Sequence, residues 1–372
     1  MVTERSGVKI THGANDGVFD VEGATVASVQ ASLADAFNIP LEAFAFVNRK
    51  IVPEEYRLRA QDDLVFSLLE GWKGAGPKRD DPPQFKTPFP YTGGKARVAP
   101  EVWRRFGDVK NYVEPFFGGG GVLLNRPTWG GNRIETVNDL DGLLVNFWRA
   151  AKFHPVKLAR AADYPVSELD LHARHNWLVR RKEEITERIR SHEAWCDPKV
   201  AAWWVWGISQ WINAGWCAVG KQSRRKPHFD GRGIHRISFR AGGKRRSEYL
   251  REYFGQLACR LEHVRILSGD WSRAVTPAET TRHGLTGVFL DSPYTEKSGR
   301  ADRTYAEDDL KVGHEVRAWA VAHGDDPKLR IALCGYDGEY RMPLNWSVFQ
   351  WKNTGNKNGH RERIWFSPHC LT

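Results

Sequence analysis

Four consecutive glycines, Gly118 to Gly121, follow the short run Tyr112-Val113-Glu114-Pro115-Phe116-Phe117 and lead into Val122-Leu123-Leu124. A strand that enters a glycine turn and leaves it in a helix is the repeating unit of an α/β sheet, so this segment constrains the fold more than any other. The chain around it agrees. From about Phe89 to Thr372, apolar strand-like runs alternate with helical patterns. Helical, strongly basic sequence interrupts the alternation between about residues 150 and 262. Glycines at such a turn permit a tight bend and let a ligand approach backbone N–H groups closely. A helix starting behind them would favour a negatively charged ligand group. A flexible loop is the plain alternative. A dinucleotide turn is another, although the G-x-G-x-x-G pattern here lacks its usual strand–helix context near a chain start.

Three further blocks carry chemistry. Arg133-Ile134-Glu135-Thr136-Val137-Asn138-Asp139 is a strand candidate ending in an acid, about twenty residues after the glycines. An acid so placed accepts hydrogen bonds from both hydroxyls of a ribose; the competing reading makes Asp139 the N-cap of a helix over Leu140 to Ala150. Val264-Arg265-Ile266-Leu267-Ser268-Gly269-Asp270-Trp271 ends in an acid and an indole, which suit an adenine amine and ring or, equally, a capped turn with a core tryptophan. Val288-Phe289-Leu290 runs into Asp291-Ser292-Pro293-Tyr294. An exocyclic base amine about to attack a methyl group needs its lone pair localised, and two acceptors on its N–H groups do this: the Asp291 carboxylate and the Ser292 main-chain carbonyl. Pro293 stiffens the turn, and Tyr294 offers a face on which a base can stack. A surface turn with a structural tyrosine is the other reading.

Taken in order, Phe89-Pro90-Tyr91-Thr92-Gly93-Gly94-Lys95, the glycine block, Asn138-Asp139-Leu140-Asp141, Gly269-Asp270-Trp271 and Asp291-Ser292-Pro293-Tyr294 resemble the Dam-like class of N6-adenine DNA methyltransferases. Arg361-Glu362-Arg363-Ile364-Trp365-Phe366-Ser367-Pro368 resembles that class's closing strand, and the likeness covers about three quarters of the chain. It implies a Rossmann-like sheet with a reversed final hairpin, S-adenosylmethionine as cofactor, and double-stranded DNA from which the target adenine is flipped. Carried over by position, it implies that Tyr91 and Lys95 border the cofactor, with Lys95 near its carboxylate. Glu114, Pro115, Phe117, Gly118 and Gly120 form the cofactor loop, Asp139 holds the ribose, Asp270 and Trp271 hold the cofactor's adenine, and Asp291, Ser292, Pro293 and Tyr294 hold the flipped base. The class usually has proline where this chain has Ser292, which costs the turn one rigid φ and leaves the carbonyl in place. Cytosine N4 or RNA as acceptor, or an inactive DNA-binding relative marked by Ser292, are the alternatives.

The net charge of +10 favours a polyanionic partner. Nearly all of the excess lies between Lys221 and Arg251, where eleven cations (Lys221, Arg224, Arg225, Lys226, Arg232, Arg236, Arg240, Lys244, Arg245, Arg246, Arg251) face Asp230 and Glu248. Glycines and His228, Phe229, His235 and Phe239 are interleaved, as a recognition loop on DNA requires; most of its cations would meet phosphates and a few would read bases.

Residues 1–75 read as a separate unit. Val8-Ile10 and Val18-Val21 suggest a hairpin around Gly13 to Gly17, Val26, Val29, Leu33 and Phe37 share a helix face, and Phe44-Val47 and Leu64-Leu68 are strands. This order resembles the β-grasp fold of ubiquitin-like and sulfur-carrier proteins. Because Gly71-Trp72-Lys73-Gly74 runs on into more chain, the resemblance implies an accessory unit, with a protein partner or flanking DNA as its target, in place of a carrier. Residues 76–88, rich in proline and charge, read as a linker, and residues 89–372 as the methyltransferase domain with its recognition region at about 150–262.

Cys196, Cys217, Cys259, Cys334 and Cys370 show no paired short spacing, which points away from a zinc site or disulfide framework. The start MVTERSGVKI has no apolar h-region, and Ala201 to Val219 is broken by Ser209, Gln210 and Asn213. The expected location is the cytoplasm of a bacterial or phage-infected cell, at the nucleoid. The expected biological roles are restriction protection, regulation or self-defence of a mobile element.

Overall fold

The computed structural model describes residues 7–12, 15–37, 39, 43–48, 50–67, 85–192, 194–212, 215–218, 226–228, 232–235, 245–293, 311–351 and 361–372. Two sheets organise them. In the first, β1 (Val8–His12), β2 (Asn15–Phe19), β3 (Phe44–Val47), β4 (Lys50–Ile51) and β5 (Asp63–Ser67) lie in the order β2-β1-β5-β3-β4. Only β1 and β5 run parallel; the other pairs are antiparallel. The helix Val26–Phe37 buries Val26 and Val29 against Val8, Ile10, Leu64 and Phe66, with Leu33 and Phe37 partly buried beside them. The expected helix face is therefore the one that packs. The hairpin is tighter than expected. β2 begins at Asn15, opposite His12, because its polar residues form an exposed edge whose pairing is a backbone matter.

The second sheet has seven strands: β6 (Asn111–Glu114), β7 (Ile134–Asp139), β8 (Val264–Ser268), β9 (Thr286–Leu290), β10 (Leu329–Tyr336), β11 (Ser347–Gln350) and β12 (Glu362–Phe366). Their order is β11-β12-β10-β9-β6-β7-β8. β8, β7, β6, β9 and β10 are mutually parallel, and β12 runs antiparallel to both β10 and β11. The α/β expectation holds in this large, mostly parallel sheet. The chain leaves β6 for β7 and β8 on one side, then crosses back to β9 and β10 on the other. That reversal opens a crevice at the carboxyl ends of β6 and β9, where open α/β sheets take their ligands.

Between β7 and β8 the described residues form the helices Gly142–Phe153, Pro155–Ala162, Glu168–Ser191, Pro198–Ile208 and Arg246–Leu261. Local chemistry sets their ends. Ser167 caps the third, Glu168 and Asp170 lie in its first turn, and Arg188 and Arg190 lie in its last. Asp197 caps the fourth by accepting from Lys199 N at 2.9 Å and Val200 N at 3.0 Å. The apolar stretch from Ala201 is a helix only to Ile208. It is apolar nearly all round because Ala201, Ala202, Trp204, Val205 and Trp206 are all buried in the core. No helix among the described residues is long and apolar enough to cross a membrane.

Two expected helices differ. Val122-Leu123-Leu124 begins no α-helix; a single 3₁₀ turn, Leu123–Asn125, follows the glycines. Pro127 lacks an N–H and disfavours helical backbone at Arg126, and Gly130 and Gly131 follow with positive φ. The glycine loop therefore presents backbone N–H groups with no helix dipole behind them. The helix expected from Leu140 starts at Gly142, and its cap is Asp141, which accepts from Leu143 N at 3.0 Å.

A buried ion cluster, which the sequence patterns did not signal, ties this domain together. Glu135 on β7 takes two hydrogen bonds from Arg260, at 2.7 and 2.9 Å, and one from Arg126 at 3.1 Å. Arg260 also donates to the Leu123 carbonyl at 2.7 Å. The last helix of the insertion, β7 and the end of the glycine loop are thus fastened through one carboxylate.

Candidate active site

Separate sequence blocks meet in one cavity of about 410 Å³. That volume falls in the range of small-molecule sites, about 300–1,000 Å³. Tyr91, Lys95, Glu114, Pro115, Phe117, Gly118, Gly120, Asp139, Asp270, Trp271, Asp291 and Pro293 all line it, at the carboxyl ends of β6, β7, β8 and β9 and along the 90–97 segment. Tyr294 lies outside the described residues.

The glycine loop is built for close approach. Gly118 has φ +48° and Gly120 has φ +67°. A side-chain carbon at Gly118 would lie 2.6 Å from the Tyr91 ring, and one at Gly121 would lie 2.7 Å from the Ala96 nitrogen. Asp139 holds the loop in shape, its carboxylate accepting from Gly118 N at 2.9 Å and from Asp141 N at 3.0 Å. Asn138 braces the same region by donating to the Pro115 and Gly269 carbonyls, both at 3.0 Å. Asp270 caps the short turn Trp271–Val275 through Ser272 N at 2.9 Å, while Trp271 is buried and stacked with Phe116. The block forms a capped turn, and Asp270 and Trp271 both line the cavity. Glycines with no room for a side chain, an acid at the end of β7 and an indole after β8 fit a nucleoside-sized ligand.

Lys95 lines the cavity, and protein groups engage its ammonium. It is 4% exposed, and its ammonium donates to Asp291 at 2.8 Å and to the Gly93 carbonyl at 2.9 Å. Glu362 Oε2 lies 4.0 Å from the same nitrogen. Burial alone would lower the Lys95 pKa; the Asp291 and Glu362 charges outweigh it and hold the ammonium charged. Ser292 is only 2% exposed and lies between Asp291 and Pro293, which both line the cavity. The serine thus replaces the usual proline on the inner side of the turn.

Burial pushes the Glu114 carboxyl up to about 8; the Tyr112 hydroxyl, donating at 2.8 Å, opposes this, and the Asp291 and Asp139 charges add to it. Burial likewise raises Asp139 to about 6, against the two backbone donors. Folded Glu114 therefore keeps a proton that the unfolded chain loses near 4.5, and stability falls as pH rises toward 8. Asp139 acts with the same sign between 3.8 and about 6. Buried His235 is held down to about 4 from 6.5 and opposes both below 6.5. Between pH 6.5 and 8 the slope belongs to Glu114 and reaches up to about 1.4 kcal/mol per pH unit. Urea unfolding at the two ends of that window should show the parent losing stability as pH rises, and Glu114→Gln losing the slope.

Of the basic span, Lys226, Arg232 and Arg245 are exposed, whereas Lys221, Arg224, Arg225, Arg236, Arg240 and Lys244 lie outside the described residues. Two of its members meet protein groups. Arg246 pairs with Asp163 at 3.2 Å, and His235 is 3% exposed beside the Trp206 carbonyl. His235 is therefore a core histidine in place of a member of the recognition loop, since the turn at Ile234 packs inward.

Residues that patterns missed are Asn138, Asp141, Glu135 and Glu362. Asn138 and Asp141 flank Asp139, and their adjacency to a strand-end acid was the available signal. Glu362 sat inside the closing-strand block as one more polar residue.

The described geometry agrees with two comparisons. Residues 91–194 match the family model of the D12 class N6 adenine-specific DNA methyltransferases. A DNA N-6-adenine-methyltransferase of Escherichia phage P1 is 23% identical over 256 residues, which cover 66% of this chain and 29% of that protein. The chain thus spans under a third of the length of that relative. The resemblance drawn from the motifs holds: residues 91–194 are similar to the D12 class N6 adenine-specific DNA methyltransferases.

Proposed function

We propose that this protein transfers a methyl group from S-adenosylmethionine to the N6 amine of adenine in double-stranded DNA. The observation that carries the reading is the convergence of the glycine loop, Asp139, Asp270-Trp271 and Asp291 on one cavity at the sheet's switch point. The cofactor, when bound, supplies an activated methyl group on a sulfonium. The chain's residues do the rest. The glycine loop, Asp139, Asp270 and Trp271 hold it, and Glu114, Pro115 and Phe117 shape the wall beside it. Asp291 and the Ser292 carbonyl accept from the target amine and localise its lone pair, Pro293 supports the turn, and Tyr294 stacks on the base. Lys95 orients Asp291. The base must leave the duplex to reach this cavity, because its amine is paired and stacked inside the helix.

Incubation with labelled cofactor and mixed-sequence DNA, followed by mass analysis of the nucleosides, tests the reading. N6-methyladenine is the expected product. N4-methylcytosine, methylated RNA only, or cofactor binding without turnover would each replace it with one of the alternatives.

The basic span supports a DNA-recognition role through charge, with Lys221, Arg224, Arg225, Lys226, Arg232, Arg236 and Arg240 as its contacts. Neutralising Arg224, Arg225 and Lys226 should flatten the dependence of log K on log salt by up to about three units, at about 0.9 per phosphate contact. Titration of parent and triple variant at several salt concentrations checks this, and equal slopes would remove the span from the DNA surface. The strand order β2-β1-β5-β3-β4 around the helix Val26–Phe37 supports the β-grasp reading of residues 1–75 as an accessory unit joined by the 76–88 linker.

A further inference from the structure

β12 is antiparallel to the strands beside it, so its first residue arrives at the end of the sheet where the parallel strands finish. The register makes this explicit. Leu290, the last residue of β9, faces Leu333 of β10, and Tyr336, three residues further along β10, faces Glu362. Glu362 is 1% exposed and lies 4.0 Å from the Lys95 ammonium, which in turn sits 2.8 Å from both oxygens of Asp291. Two carboxylates from different strands therefore share one buried ammonium.

Their charge balance matters for an amine acceptor. An isolated Lys95–Asp291 pair would be neutral, and the ammonium would draw electron density from both Asp291 oxygens. A second carboxylate beside the same ammonium offsets part of the positive charge that Lys95 places on Asp291. In the methyl transfer proposed above, the amine nitrogen forms its bond to carbon while the carbon–sulfur electron pair stays with sulfur. The nitrogen becomes positive until a proton leaves it for water. Negative charge beside that nitrogen stabilises the transition state more than the ground state, which is the condition for raising kcat.

We infer that Glu362 is a positioning residue for Asp291, acting through Lys95. By sharing the ammonium it holds the Lys95 nitrogen in place and offsets part of its positive charge where Asp291 faces the target amine. The inference rests on the methyltransferase reading. Because Glu362 acts through the Lys95–Asp291 pair, catalysis should depend on it and cofactor binding should not.

The test uses the full chain, S-adenosylmethionine and double-stranded DNA, with the parent, Glu362→Gln and Glu362→Asp assayed side by side. Glu362→Gln keeps the shape and removes the charge; kcat should fall about 10–100-fold, as for other residues that orient a reacting group, with KM for the cofactor within about twofold. Glu362→Asp keeps the charge and should recover most of kcat. Equal kcat in parent and Glu362→Gln overturns the inference. So does an equal loss in both variants, which marks a shape requirement, or a change confined to the cofactor KM. Should Glu362→Gln fail to fold, Glu362→Asp decides, and a kcat below about a tenth of the parent's overturns the inference. A parent that turns over neither DNA nor RNA removes the functional reading and this inference with it, whereas an active parent with an active Gln variant removes only the inference.

Discussion

Asp291→Asn should abolish methyl transfer, with a loss of at least about 10²–10⁴-fold in kcat, while the protein stays folded and binds cofactor. Asp291 is the side chain at the end of β9 that lines the cavity and carries an acceptor. Asparagine preserves its shape and one acceptor oxygen but removes the charge that faces the amine. The structure separates this variant from Asp291→Ala. Asp291 sits in an ion pair with a lysine that is 4% exposed, and alanine would leave that ammonium with the Gly93 carbonyl and a carboxylate 4.0 Å away. Losing one partner of a buried pair costs up to about 3–5 kcal/mol, and the nearby Glu362 should hold the cost toward the low end. Both variants should therefore lose turnover and some thermal midpoint, the alanine variant more, because asparagine keeps one acceptor for the ammonium. Retained turnover in Asp291→Asn would remove Asp291 from the chemistry.

Glu135→Ala should destabilise the protein by about 3–5 kcal/mol. Glu135 takes the charge of two guanidiniums, Arg260 and Arg126, that are 1% and 4% exposed. Removing it leaves both cations buried with backbone carbonyls, at Leu123 and Val109, as their remaining acceptors. Urea unfolding of parent and variant measures the difference. Because Arg260 also grips the Leu123 carbonyl, two residues beyond the last glycine of the loop, cofactor affinity should fall with stability. Replacing Glu135 and Arg260 together by apolar residues of similar volume should recover part of the loss, since a buried pair stabilises little relative to good apolar packing. A Glu135→Ala variant within about 1 kcal/mol of the parent would show that the cluster has relaxed around water.

The site's acids were legible wherever a residue stands at the end of a strand. Asp139 ends β7, Asp270 comes two residues after β8 and Asp291 directly follows β9, and a parallel sheet delivers such ends to one side by construction. Their partners were less legible. Asp139 was read as either a cap or a ribose acceptor; the structure gives the cap to Asp141 and uses Asp139 to hold Gly118. The motif placed Lys95 at the cavity, but not its ammonium on Asp291, 196 residues away. His235 looked like part of a DNA loop among glycines and cations, and it is a core residue because Ile234 draws its turn inward.

The amino-acid sequence alone determined where the strands end, where the backbone must bend without side chains, and which acids stand at those ends. These follow from hydrophobic period and turn chemistry, which act over a few residues. Only the tertiary structure decided which charges share a desolvated space. Arg260 meets Glu135 across 125 residues, and Lys95 joins Asp291 to Glu362 because β12 runs against its neighbours. The choice of partner for a buried charge depends on strand order, strand direction and the exclusion of water, and none of these is a local property of the chain.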